Sequence, residues 1–263
     1  MQYSLRPKKR FDERGINMKL IVNADDFGIT KAVTLGILEA HEQGVLTSTT
    51  LMCNMPDAEY AAGLSKNYPK LGVGIHFVLT AGFPLAEGVN SLVDETGRFH
   101  KIDKIKELAT SEDIRKEFRR QMDKFLSFGI KPTHIDSHHH VHGISKVLEI
   151  VREFAVEYDI PVRLLGEVCE NYLKGIATTE GFTGGFYGNT EINPEGLINS
   201  IEKNKNFESL EIMCHPGYLD QAILDMSSYA MPRTQELTTL TSDIVKNYIK
   251  ENNIQLINFK AIK

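Results

Sequence analysis

From residue 18 onwards, short apolar runs alternate with stretches whose apolar positions recur every three or four residues. The first kind reads as buried strand and the second as amphipathic helix. Residues 19–23 form a compact apolar strand that ends at Asp25-Asp26-Phe27-Gly28. Thr30 is placed to cap a helix running to about residue 41, with Val33, Ile37 and Ala40 at helical spacing. Residues 48–54 give a second strand, and Pro56 opens a helix towards residue 68. A third strand over 71–77 carries His76 near its end. Residues 80–110 are irregular, rich in glycine and charge, and long enough for a functional loop or small insertion.

The second half repeats the alternation. Ser111 caps a helix with Ile114, Phe118, Met122 and Phe125 on one face. Thr133 to Asp136 reads as a short strand because Pro132 disfavours helix before it, and a helix over 145–158 follows. Then come a strand over 160–164, an irregular tract over 166–190 containing GFTGGFYGN, and a helix over 194–204 opened by Pro194. A strand over 210–214 ends in His215-Pro216-Gly217, a helix runs over about 234–251, and a last strand covers 255–259. Strands alternating with helices imply parallel pairing through crossover helices. About seven such units without a glycine-rich dinucleotide loop favour a TIM-like (β/α) barrel over a Rossmann sheet. No second domain is indicated over 18–263, whereas residues 1–17 are basic and read as a leader outside the fold.

Composition narrows the class. Of 263 residues, 41% are hydrophobic and 25% charged, as in ordinary globular proteins. A net charge of −5 argues against a nucleic-acid partner, and no apolar run has the length of a membrane span. Cys53, Cys169 and Cys214 are widely spaced without a CxxC pair, which fits a reducing cytoplasmic setting.

Chemistry collects at 131–143, KPTHIDSHHHVHG, with histidines at 134, 138, 139, 140 and 142 around Asp136. Imidazole and carboxylate bind divalent transition-type ions. A tag would be terminal and would not be threaded with Asp, Val and Ile. On a strand, His134 and Asp136, and by extension His138, share one face, with Ile135 on the other. Barrel enzymes gather reacting groups at the C-terminal strand ends. Four such ends here carry them: Asp25-Asp26, His76, the histidine cluster and His215. Adjacent carboxylates reach one site only where the strand ends, and Gly28 is where the backbone can turn. Two acids so close repel unless a cation neutralises one, which puts a metal beside Asp26 and leaves Asp25 free as a base.

NADDFG at 23–28, STT at 48–50, GIHFVLT at 74–80, PTHIDSHHHVH at 132–142, GFYG at 185–188 and MCHPG at 213–217 together resemble the YdjC-like family, typified by chito-oligosaccharide deacetylases. The resemblance covers 18 to the C-terminus. It implies a deformed (β/α) barrel and hydrolysis of an N-acetyl group from a small acetylated amino sugar. It further implies one divalent ion, magnesium or zinc, on Asp26, His76 and His138, with Asp25 as base and His215 as acid. A homodimer is compatible with it. Arg163 is a candidate substrate contact, pairing with a carboxylate at the mouth, or a structural ion pair. Phe186 and Tyr187 lie in a glycine-rich loop, where rings either stack on a sugar or pack beneath the loop. The competing readings are a two-metal amidohydrolase or phosphoesterase on a similar barrel, and a sugar-binding or metal-storage protein without turnover.

Overall fold

A computed structural model describes residues 18–188 and 192–263; the expected leader over 1–17 lies outside the described residues. Its elements follow in the order β1 (Lys19–Phe27), α1 (Lys31–Gln43), β2 (Ser48–Leu51), α2 (Ala58–Ser65), β3 (Gly72–Phe77), α3 (Ile102–Leu108), α4 (Ser111–Ser127) and β4 (Ile135–Ser137). Then come α5 (Ser145–Tyr158), α6 (Glu167–Tyr172), β5 (Gly181–Thr183), α7 (Pro194–Lys203), β6 (Ser209–Cys214), α8 (Gln221–Met226), α9 (Pro232–Thr241), α10 (Asp243–Glu251) and β7 (Gln255–Leu256). The sheet runs β4-β3-β2-β1-β6-β5, with β7 also paired to β1. Every named pair is parallel, so the strands curl into a deformed (β/α) barrel with one set of ends at the mouth.

Several expected elements shift, each for a local reason. Residues 160–164 contribute only one parallel bridge, Val162 to Ile135. Pro161 has no amide to donate, and the Val162 amide bonds Ala177 instead of extending the sheet. The barrel is therefore open between β5 and this segment, and side chains fill the gap: the Arg163 guanidinium lies 5.2 Å from the Phe182 ring. The single helix expected over 234–251 divides at Ser242, whose extended backbone stops α9 while its hydroxyl accepts from the Ile244 amide of α10. Thr110, not Ser111, caps α4 by accepting from the Asp113 amide, whereas Thr30 caps α1 as its sequence predicts. Outside the barrel, Phe118 of α4 stacks on Phe77 of β3 at 4.0 Å and Phe154 of α5 meets it edge-on, which fixes both helices against the strands bearing the histidines.

The barrel interior is unusually polar. Asn23, Asp25, Thr50, His76, His134, Asp136, Arg163 and Glu211 are all buried within it. Burying such groups costs stability unless each is paired, so their pairing defines the site.

Candidate active site

Asp25 and Asp26 both reach the mouth because β1 changes register between Ala24 and Phe27. The turn falls at Asp26 itself, which adopts a left-handed φ of 67°, one residue type that tolerates this region. Gly28 continues the turn at φ 84°, where a side-chain carbon would press to 3.0 Å of the Ala58 backbone. A second turn serves the histidine tract: His139 and His140 are both left-handed at φ 53°. That turn lets His138, just past the end of β4, face Asp26 across the mouth rather than continue the strand.

Asp26, His76 and His138 offer three ligand atoms within 4.8 Å of one another. His138 Nδ1 lies 3.1 Å from Asp26 Oδ1, and His76 Nε2 lies 3.6 Å from the same oxygen. His76 Nδ1 is bonded to Asp136 Oδ1 at 2.7 Å, and Thr50 donates to the other Asp136 oxygen at 3.0 Å. With Nδ1 so engaged, Nε2 is left bare; it is buried and makes no hydrogen bond among the described residues. Burial disfavours a charged His76, but Asp136, Asp25 and Asp26 outweigh it and draw the ring towards its protonated form. A buried imidazole nitrogen without a hydrogen-bond partner, facing a carboxylate and a second imidazole, is a donor set that a divalent cation fits.

The sequence-predicted base is held from behind. Burial pushes the Asp25 carboxyl up, yet Arg163 outweighs it and holds it well below the usual range, with His76 and His215 adding to the effect. The guanidinium grips Asp25 as a fork, Nη1 to Oδ2 at 2.8 Å and Nη2 to Oδ1 at 2.6 Å. Arg163 also reaches Glu211 at 2.8 Å and Asp136 at 2.9 Å. Burial raises Glu211 to about 8, so much of this acid is protonated near neutral pH. Arg163 is wholly enclosed and corrects the expectation of a substrate contact: its partners are the interior carboxylates. Phe186 is likewise buried, a core residue beneath the glycine-rich loop, so only Tyr187 of that pair is exposed.

The opposite wall joins His215 and Tyr187, which the sequence singles out, to Tyr229, Arg233 and Glu236, which sequence reasoning missed. Arg233 at the start of α9 donates from Nη2 to Asp26 Oδ2 at 2.6 Å, and this cation and His138 more than offset burial in holding Asp26 ionised. Glu236, one turn later, accepts from the His215 amide and from the Tyr229 hydroxyl. Burial raises Glu236 to about 8 and lowers His215 to about 4, so the His215 ring is neutral in the free protein. Tyr187 stacks on Tyr229 at 4.2 Å, and both rings meet His215 edge-on at 5.4 and 5.5 Å. For Arg233 and Glu236 the only sequence signal was their spacing of three on a helix, which many solvated faces share.

The remaining histidines fall into place. His134 stacks on Phe259 at 3.8 Å and bonds Asn23 at 3.0 Å, so it builds the barrel floor. His142 bonds the Ser137 hydroxyl and His139 bonds Thr80 at 2.9 Å. His140 packs edge-on against Phe182 at 5.8 Å.

Known proteins resemble this chain over most of its length. The family described as YdjC-like protein matches residues 19–251. A carbohydrate deacetylase of Clostridium beijerinckii is 57% identical over 93% of this chain and 100% of its own. A chitooligosaccharide deacetylase of Serratia marcescens is 42% identical over 92% of this chain and 98% of its own. A solved structure from Enterococcus faecalis V583, described provisionally as a cellobiose-phosphate cleavage protein, is 37% identical with a TM-score of 0.88, covering 93% of this chain and 98% of that one. Among the described residues, no helix is long and apolar enough to cross a membrane.

Proposed function

This chain belongs to the YdjC-like protein family, and from that premise we propose that it is a carbohydrate deacetylase that hydrolyses the N-acetyl group of a small acetylated amino sugar, with the help of one divalent ion. The observation that carries the reading is the bare, buried Nε2 of His76 facing Asp26 and His138, beside an ionised Asp25. A divalent ion held by those three residues would supply Lewis acidity, polarising the amide carbonyl and easing loss of a proton from water. Two imidazoles with one carboxylate favour zinc over magnesium.

The chain's own residues do the rest. Asp25 takes the proton of the attacking water; its fork to Arg163 fixes the carboxylate and keeps it ionised. As the C–N bond breaks, the leaving nitrogen needs a proton, and His215 on the far wall is placed to give it. A ring lowered to about 4 carries no spare proton beforehand, so His215 takes one from solvent as negative charge gathers in front of it and passes that proton to the leaving nitrogen. Tyr187, exposed on the glycine-rich loop beside His215, offers a face for a sugar ring. A chitin-derived di- or oligosaccharide suits such an open mouth.

Acetate release should be measured over N-acetylglucosamine, its short β-linked oligomers, their phosphorylated forms and simple acetamides. Release from the disaccharide but not from acetamides is expected, because sugar contacts position the amide. Silence on every sugar, with turnover of a phosphate ester or cyclic amide, would overturn the reading.

A further inference from the structure

The acid wall contains one side chain whose bonds join parts of the site that are far apart in sequence. Tyr229 precedes α9, and its ring carries Tyr187 of the glycine-rich loop on one face. Its hydroxyl accepts from the Gly188 amide of that loop at 3.2 Å and donates to Glu236 Oε1 at 2.5 Å. The second Glu236 oxygen accepts the His215 amide. Oε1, the oxygen that Tyr229 holds, lies 4.0 Å from His215 Nδ1, which is buried and makes no hydrogen bond among the described residues. The Tyr229 carbonyl accepts from Arg233 Nε at 2.8 Å, and Arg233 in turn holds Asp26. A phenol that both accepts and donates in a half-buried network has its orientation set by those two bonds, so it ties both neighbours together.

We propose that Tyr229 is a positioning residue: its hydroxyl locks the glycine-rich loop and Glu236 together and thereby sets the placement of the His215 imidazole. The inference rests on the reading of His215 as proton donor for its bearing on turnover, but the placement itself is a property of the free chain. Without the hydroxyl, Glu236 Oε1 is free to swing towards or away from Nδ1, and Gly188 loses its anchor. A sugar stacked on Tyr187 and a proton donor held by Tyr229 then no longer move as one unit. The loop therefore acts on the chemical step as well as on sugar binding.

Tyr229→Phe removes only the hydroxyl and keeps the ring stacked on Tyr187. Two readouts separate placement from function. In long-range proton–nitrogen spectra, with the His215 ring assigned through a His215→Gln variant, Tyr229→Phe should shift the His215 ring signals and leave the floor histidine His134 unmoved. In metal-loaded protein it should lower kcat about tenfold with KM within about twofold, the pattern of a lost transition-state interaction. Glu236→Gln, which keeps the volume of the link, should shift the same His215 signals. Unmoved His215 signals in both variants would overturn the proposal whatever the activity. A rise in KM with kcat unchanged would also overturn it, making Tyr229 a sugar-binding support alone. Shifted signals in a protein silent on every acetylated sugar would uphold the placement and sink the deacetylase reading instead.

Discussion

The two walls of the mouth are built on different principles. The wall proposed to hold the metal, Asp25, Asp26, His76 and His138, sits on or just past strands β1, β3 and β4, with Asp136 of β4 behind His76 and Arg163 behind Asp25. The wall proposed to hold the acid, Tyr187, His215, Tyr229, Arg233 and Glu236, has one group just past a strand, His215 after β6, and takes the rest from loops and the first turns of α9. Strand register brings one atom each of Asp26, His76 and His138 within 4.8 Å of one another. The acid wall depends on side-chain bonds between segments that could each move. The difference suggests a rigid centre for charge and an adjustable wall for the sugar and the departing amine.

The largest expected effect comes from breaking the metal wall. His76→Ala or His138→Ala should lose bound metal and lower kcat/KM by about a thousandfold or more, as loss of a metal ligand does. Metal content per chain and acetate release check both. A variant that kept its metal and its rate would move the ligand set elsewhere. Asp25→Asn should cost about as much turnover yet keep the ion, which separates base from ligand. If it emptied the site, the two aspartates would exchange roles.

Next comes the ion-pair cluster behind the metal wall. Arg163→Gln leaves Asp25, Asp136 and Glu211 buried without their cation, and should cost about 3–5 kcal/mol in urea unfolding. Arg115→Ala breaks an exposed pair with Glu153 and should cost no more than about 1 kcal/mol. Equal losses would mean that the interior cluster is solvated in solution.

How much of this was legible follows the same division. Strand ends showed themselves through apolar runs that stop at Asp25, His76 and His215, and the structure places Asp26, His76 and His138 within reach of one another at such ends. Where the chain turns was less visible: Gly28 invites the turn, yet Asp26 makes it, because a carboxylate can take a left-handed conformation when the fold holds it there. The directions of Arg163 and Phe186 stayed open because a cation in an apolar strand and a ring in a glycine-rich loop give no sign of direction. The open side of the barrel turns Arg163 inwards, and the core takes Phe186. Arg233, Glu236 and Tyr229 were invisible because their partners are distant in sequence and their spacing is that of any helix surface.

The smallest effect concerns the floor beneath both walls. Burial holds His134 well below its ordinary value of 6.5, with Arg163 adding to it. At pH values between the two, the unfolded chain binds the proton and the folded chain does not, so stability rises with pH there. His134 therefore contributes fully above about 6.5 and its contribution falls away below it, at up to about 1.4 kcal/mol per pH unit. His134→Gln should be less stable at pH 7 but should lose less than the parent between pH 7 and pH 5 in urea melts. An unchanged acid slope would show that the other buried histidines set it.

The central claim is that the metal wall holds one divalent ion on which turnover depends. Its most direct test is acetate release from an N-acetylated β-linked disaccharide by protein stripped of metal, then titrated with zinc or magnesium. The account predicts no release from stripped protein and full recovery at one ion per chain. Full turnover in rigorously metal-free protein, or recovery only at two ions per chain, would contradict it.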